Sequence, residues 1–359
     1  MQIKKKLNKL KELYIIFFSM VLFINIIFST PLNANSFKIT NLEISEPFEL
    51  NFDKEKVIDK GFESAFYELV SMITTAADRP KIKNISLTLI KGLIDTFTMS
   101  EEKFINSEYH VKFDVYFNKK KTLNFFENKN IFPSIPRRKN VLLIPILVDI
   151  QNDKVSLFTN NVFYKKWNVI NERFFLLNYL LPSEDIEDVN FLSQNSESVE
   201  DYDFKETIEK YDLKEYIITI IYKNNKKFRV LSKIKINESL KINNQKFENI
   251  DLLKEEDYYF LINYLKNIYE DNWKDINRIN RSIKLPLTIY LKAKDYKKTE
   301  LFEKALDELD LVFSKEISNF NSKNIFYKII YNGPPNKFID NMKDKNVLII
   351  AKNQIWKVQ

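Results

Sequence analysis

Residues 108–117 read EYHVKFDVYF, and this stretch decides the fold class because apolar and polar side chains alternate along it without a break. A period of two is typical of a β-strand with one buried face. The apolar face holds Tyr109, Val111, Phe113, Val115 and Phe117. The opposite face, which we expect to meet solvent, holds His110, Lys112, Asp114 and Tyr116. A partner strand is predicted just upstream, near residues 98–105.

Farther upstream, the apolar spacing changes from that of a strand to that of a helix. A strand is predicted near residues 37–44, and Asp53 is a candidate N-cap for a long helix. The apolar face of this helix holds Ile58, Phe62, Ala65, Phe66, Leu69, Val70 and Ile73. Shorter helices are predicted around residues 86–95 and 120–128. Residues 36–130 therefore form a predicted module with the order βααββα.

A second α/β module is predicted over residues 138–281. Its first strand, VLLIPIL at 141–147, is continuously apolar, as expected for a strand covered on both faces. Pro145 favours a position at a sheet edge or near a strand end. The chain over 216–236 is predicted to form a hairpin across Asn224-Asn225, because Asn tolerates the positive φ of such turns. The other predicted elements are a helix at 161–171, a strand at 174–181 and a long helix at 255–280.

A third module is predicted over residues 284–359. The pattern indicates a strand at 285–291, a helix through Leu301 to Leu309, and strands near 311–320 and 324–331. A short helix after Gly333 and terminal strands at 347–350 and 355–358 complete the order. Apart from the second terminal strand, these elements have the β-α-β-β-α-β order of a ferredoxin-like sandwich. The fold class is thus a mixture of α+β and α/β, built from three small modules.

The first 34 residues have the composition of a targeting segment. Five lysines and one glutamate precede a run of apolar residues at 13–28, which is short for a spanning helix. We favour a secretory signal cleaved near Ala34. The alternative is an uncleaved N-terminal anchor, and both interpretations place the body in the periplasm of a bacterium.

The composition excludes several kinds of site. The chain has no Cys, one His and three isolated Gly, so it holds no thiolate metal site, two-His metal site or glycine-rich phosphate loop. The formal net charge of +7 falls to +3 outside residues 1–34, which gives no electrostatic argument for nucleic-acid binding. We predict no cofactor and no bound metal.

Three side chains and one segment are candidates for a site. His110 is the sole imidazole, but no nucleophile can be assigned to it, so we interpret it as a solvated residue of its strand. Trp167 and Trp273 lie among polar residues and are candidates for stacking on sugars, although such residues more often seal a helix against a sheet. Residues 183–203 carry eight carboxylates and no cation, which fits a solvated connector or, alternatively, a Ca²⁺ site.

Several patterns resemble one protein family. They are GFESAFYELVSMITTAADRP (61–80), EKFINSEYHVKFDVYF (102–117), VLLIPIL (141–147), FYKKWNVIN (163–171) and the ending IFYKIIYNGPPNKFIDNMKDKNVLIIAKNQIWKV (325–358). Together they resemble the proteobacterial envelope proteins called domain of unknown function 2066. The resemblance implies a secreted α/β protein and assigns no catalytic residue.

The leading order of the first module, strand-helix-helix-strand-strand, also resembles that of polypeptide-transport-associated modules, which can bind extended chains at an open sheet edge. We therefore expect a non-enzymatic periplasmic protein that binds or assembles with other envelope proteins. The alternative is an enzyme that acts on peptidoglycan or another glycan through paired carboxylates. The expected membrane contact is through residues 13–28 if they stay uncleaved.

Overall fold

The computed structural model describes residues 37–183, 199–237, 239–279, 284–352 and 355–359. The predicted targeting segment and most of the acidic segment at 183–203 lie outside the described residues. Within the described residues, the chain is an α+β protein with three β-sheets, and each predicted module holds one of them.

The first module follows the predicted order βααββα. Its elements are β1 (Lys38–Pro47), α1 (Lys54–Ile73), α2 (Leu87–Leu93), β2 (Ile94–Ile105), β3 (Glu108–Phe117) and α3 (Lys119–Asn128). The Asp53 side chain caps α1 by accepting from the amide of Glu55 at 2.9 Å. The three strands form an antiparallel sheet in the order β1-β3-β2, so β3 lies at the centre. Its predicted apolar face is buried against the helices, which confirms the alternation.

The second module is built on a larger mixed sheet. Its elements are β4 (Lys139–Asp149), β5 (Lys154–Ser156), α4 (Val162–Lys166), β6 (Leu177–Leu180), α5 (Lys205–Glu209), β7 (Tyr216–Asn224), β8 (Lys227–Ile236), β9 (Ser239–Phe247) and α6 (Glu255–Ile276). The strand order is β5-β4-β7-β8-β9, and β6 also pairs with β4. The predicted hairpin is confirmed, but its two turn residues are Asn225, with a φ of 56°, and Lys226, because Asn224 pairs with Lys227. The helix predicted to reach residue 171 ends at Lys166.

Pro145 lies inside β4, at a gap along one side of the strand. On that side β6 pairs with residues 139–142 and β5 pairs with residues 147–149. The carbonyl of Pro145 accepts a hydrogen bond at 3.0 Å from the Asn161 side chain, which also caps α4. The proline is therefore accommodated by an interruption in the ladder, although the strand has neighbours on both sides.

The third module comprises β10 (Leu285–Lys292), α7 (Tyr296–Glu308), β11 (Val312–Phe320), β12 (Asn324–Tyr331), α8 (Pro335–Asp344), β13 (Ile349–Lys352) and β14 (Ile355–Val358). The strand order is β11-β12-β10-β14-β13. The first three positions agree with a ferredoxin-like sheet. The fourth position differs, because β13 and β14 form a hairpin and β14 runs parallel to β10.

The buried apolar side chains form two clusters. The larger cluster is continuous through all three modules, from Phe37 to Val358. The smaller cluster covers the opposite face of the second sheet, where Leu142, Ile144 and Ile220 pack under the segment that contains Phe204. Among the described residues, no helix is both long enough and apolar enough to cross a membrane.

Candidate functional site

His110 lies on the solvent-facing side of β3, where it forms a polar pair with the neighbouring strand. Its Nδ1 is 2.7 Å from Oγ of Ser45, which lies directly opposite on β1. Its Nε2 is 3.6 Å from the Glu108 carboxylate, beyond hydrogen-bond reach. The imidazole is 37 % exposed on an open sheet face. This geometry is that of a surface cross-strand pair, and Ser45 was not identifiable from the sequence because the strand register was unknown.

The two candidate tryptophans are buried, so neither indole forms a platform at the surface. Trp167 is fully buried and stacks against Tyr269, with ring centroids 6.0 Å apart. Trp273 is 5 % exposed and donates its indole N–H to the carbonyl of Arg137 at 2.7 Å. Both residues seal α6 against its surroundings, and sugar stacking on either side chain would require the core to open.

The region around these indoles is a buried network of charged side chains on α6. Lys266, Glu270 and Lys274 occupy successive turns of the helix, and each is at most 1 % exposed. The two carboxylate oxygens of Glu270 accept from the amides of Leu176 and Leu177 at 2.8–3.0 Å. The carboxylate therefore holds the chain at the start of β6 against the helix.

The two lysines of the network also bind backbone groups. Lys266 donates to the carbonyl of Ile170 at 2.5 Å, and Lys274 donates to the carbonyl of Ser71 at 2.7 Å. Burial lowers the pKa of each ammonium to about 8. Burial also raises the pKa of the Glu270 carboxyl above its ordinary value, although the two amide bonds oppose that rise.

A lysine with a lowered pKa is a potential nucleophile or base, but these two lysines lack access to a substrate. Each Nζ is bonded to a carbonyl inside the core, and the partners belong to different modules. A neighbouring carboxylate, Asp271, accepts from the amide of Ala76 in the first module at 3.1 Å. We therefore interpret the network as the joint that fixes the first module to the second.

Among the described residues, two surface clefts bear on the glycan-enzyme hypothesis. One is lined by Phe48, Glu49, Leu50 and Asn51. The other is lined by Arg138, Lys139, Asn140, Leu213 and Glu215. Each contains a single carboxylate, and Glu215 is paired with Lys139 at 2.9 Å. Neither of these two clefts has the two carboxyl groups that glycoside hydrolysis uses.

The acidic segment at 183–203 is described only at its two ends. There, Glu200 forms an ion pair with Arg229 at 2.9 Å. Among the described residues, no group of three or more acidic or histidine side chains is arranged to hold a metal ion. The Ca²⁺ hypothesis for residues 184–198 falls outside the described part of the chain.

The feature best suited to binding is the free edge of β2. This strand is twelve residues long, and none of its residues is buried. It pairs with β3 on one side, and it is the outer strand of the sheet on the other. An outer strand presents unpaired backbone N–H and C=O groups that are able to pair with another chain.

Aromatic side chains border this edge on the side of the helices. Phe97 packs edge-to-face against Phe62 of α1, with ring centroids 4.8 Å apart, and stays 38 % exposed. Toward the far end of β2, Phe104 packs against Phe48 at 4.7 Å and is 61 % exposed. Partly exposed aromatic side chains therefore flank β2 at two separate points, Phe97 beside α1 and Phe104 beside the loop at residue 48.

No protein-family model matches the chain, and no curated protein is similar to it in sequence. The resemblance to domain of unknown function 2066 therefore stays a prediction.

Proposed function

We propose that this chain is an exported, non-enzymatic protein of the bacterial envelope that binds an extended segment of another envelope protein along the free edge of β2. The observation that carries the proposal is the run Thr96–Ser100, which is uncharged, regular and exposed on an outer strand. The composition of residues 1–34 supports the location, since lysines followed by an apolar run are typical of exported proteins.

The register of β2 defines what kind of segment fits. Phe97 lies opposite Val115, and Met99 lies opposite Phe113, so these two side chains share the helix-covered face. Thr98 lies opposite Asp114, on the polar face. A strand added beside β2 would meet apolar side chains on one face and hydroxyl groups on the other. The complementary segment therefore alternates apolar and small polar residues.

The charges and bulges that normally prevent an outer strand from pairing with another chain lie outside the run Thr96–Ser100. Asp95 precedes it, and a bulge follows it at Glu101, where φ is 51°. Glu101 and the next residue, Glu102, form ion pairs at 2.8 Å with Lys112 and Lys54. The five residues between Asp95 and Glu101 contain no charge, proline or bulge, which leaves about 17 Å of strand open to pairing.

Photocrosslinking in the native bacterium tests this proposal. A photoreactive phenylalanine analogue at Thr96 is expected to form adducts with another envelope protein. Thr98→Lys, which places a charge beside the edge, is expected to reduce those adducts at least tenfold. The matched control is Asn319→Lys, because Asn319 is exposed on the outer strand of the third sheet.

Three outcomes would contradict the proposal. The first is an absence of adducts at Thr96, and the second is an adduct yield that Thr98→Lys and Asn319→Lys change equally. The third is a set of adducts made only of second copies of this chain, which would assign the edge to self-association. Thermal unfolding of both variants provides the folding control.

A further inference from the structure

The positive charge of the protein is concentrated in the hairpin of β8 and β9. Residues 226–247 contain seven cations and one carboxylate, so this hairpin carries +6. The chain outside residues 1–34 carries only +3, and the rest of the body is therefore net negative. The net charge of the body is therefore small even though one strand pair is strongly basic. A charged partner would interact with the local positive charge of this hairpin.

Five side chains of the hairpin form what we term the basic edge patch: Lys235, Leu240, Lys241, Ile242 and Lys246. All but Lys235 belong to β9, the outer strand of the second sheet. Leu240 lies opposite Lys235 and Ile242 lies opposite Lys233 on the neighbouring strand, and Lys241 separates the two apolar residues along β9.

The basic edge patch is open to solvent. Leu240 is 56 % exposed and Ile242 is 67 % exposed, which is unusual for aliphatic side chains on a sheet whose other strands are largely buried. The lysines of the patch form no ion pair with any carboxylate that the structure describes, and Lys235 instead lies 5.5 Å above the ring of Tyr216. The patch thus offers unneutralised ammonium groups beside exposed aliphatic side chains.

We propose that the basic edge patch docks this protein on the surface of a bilayer that contains anionic phospholipids. Ammonium groups would contact lipid phosphates, while Leu240 and Ile242 would enter the region between headgroups and acyl chains. The electrostatic attraction and the burial of the two aliphatic side chains each contribute little binding free energy, and binding to the bilayer surface depends on their sum. This contact would be additional to any contact made by residues 13–28.

The side-chain types favour a lipid surface over a nucleic acid. Arg229, the sole arginine of the hairpin, is already paired with Glu200 and lies over the ring of Tyr222 at 5.2 Å. None of the five side chains of the basic edge patch is aromatic, and the exposed rings of Phe260 and Tyr264 pack on Phe247, on the helix-covered face of β9. Proteins that bind single strands commonly combine rings with cations. Exposed aliphatic side chains between lysines suit a membrane interface.

The proposal is independent of the β2 edge, because the patch belongs to a different sheet. Residues 37–359 contain every helix and strand that the structure describes, so the test uses the chain from residue 36 onward and avoids the apolar run at 13–28. Flotation is measured with vesicles of phosphatidylcholine alone and of phosphatidylcholine mixed with phosphatidylglycerol. Binding is expected to the mixed vesicles and to weaken as salt is added.

Two variants test the patch directly. Neutralising Lys235, Lys241 and Lys246 with glutamine is expected to lower the partition coefficient about fivefold for each lysine, so on the order of 100-fold in total. Replacing Leu240 and Ile242 with asparagine is expected to lower it at least tenfold. Because these side chains are partly or largely exposed, both variants are expected to fold, and circular dichroism verifies this.

The matched control neutralises three lysines of the third module: Lys294, Lys297 and Lys304. It removes the same charge from another surface and is expected to leave binding within about twofold of the original. Equal losses in the control and in the lysine variant would overturn the proposal. So would equal binding to both kinds of vesicle, or tighter binding to single-stranded DNA than to phosphatidylglycerol at the same salt concentration.

Discussion

Replacing Glu270 with alanine is expected to destabilise the protein strongly, because this carboxylate is the fixed point of the buried network. Its two oxygens accept hydrogen bonds from the backbone amides of Leu176 and Leu177. It also supplies the negative charge between Lys266 and Lys274, one turn away on either side. Alanine would leave two buried donors and two buried cations without this partner.

The size of the effect follows from these contacts. An orphaned buried amide costs about 1–3 kcal/mol, and the removal of one member of a buried charged group costs about 3–5 kcal/mol. These terms overlap, so we expect Glu270→Ala to lower the free energy of unfolding by about 4 kcal/mol. Glu270→Gln keeps one oxygen acceptor, and we expect it to lose about half as much.

Urea unfolding followed by circular dichroism measures both variants. The matched control is Glu256→Ala, because Glu256 is exposed in the first turn of the same helix and should change stability by less than about 0.5 kcal/mol. A loss below about 1 kcal/mol for Glu270→Ala would refute the reasoning, since the network would then be dispensable. Equal effects of Ala and Gln would show that charge, and not the acceptor oxygen, dominates.

Further predictions concern a buried lysine, two tyrosines and two glycines. Burial lowers the pKa of Lys274 to about 8 against about 10.4 in an unfolded chain, so the unfolded state binds more protons between these values. The free energy of unfolding should therefore rise with pH in that window, and thermal unfolding of Lys274→Met should show a smaller rise, because Lys266, whose pKa is also lowered to about 8, keeps its own contribution; an equal rise in the two proteins would contradict this prediction. Tyr269→Phe should cost about 1–3 kcal/mol, because its hydroxyl bonds to two buried hydroxyls at 2.7 Å. Tyr179→Phe should change the free energy of unfolding by less than about 0.5 kcal/mol, because its buried hydroxyl has no hydrogen-bond partner among the described residues. Urea unfolding measures both tyrosine variants, and equal losses of stability would refute this difference in hydrogen bonding. Gly61→Ala should lower the melting temperature, because its new methyl group would lie 2.9 Å from a phenylalanine ring, whereas Gly92→Ala on an open helix face should raise it; the reverse order would be inconsistent with the packing.

The sequence predicts the first module well because local patterns determine it. The alternation along β3 assigns each buried side chain correctly, since that strand has one covered face and one open face. The N-cap at Asp53 and the turn at Asn225 are also confirmed, because both depend on the chemistry of one or two residues. Such features need no knowledge of what packs against them.

Strand β9 and the buried charges of α6 are harder to predict from the sequence. The outer strand β9 is polar and rich in Asn and Lys, so it lacks the apolar alternation that identifies a strand, and pairing with β8 determines its conformation. The buried face of α6 includes Lys266 and Glu270, because their partners are backbone groups of distant segments. No periodicity in the sequence distinguishes these charges from those on a solvated face.

The position of β14 has a consequence for how the third module is made. This last strand lies between β10 and β13, so the hydrogen bonding of β10, the first strand of the module, is completed only when the last strand pairs with it. A chain that emerges from a ribosome or an export channel with its N-terminus first would hold β10 unpaired on that side until β14 had arrived. The module therefore has a strongly non-local contact order, and its folding is expected to be slow until its last strand is released.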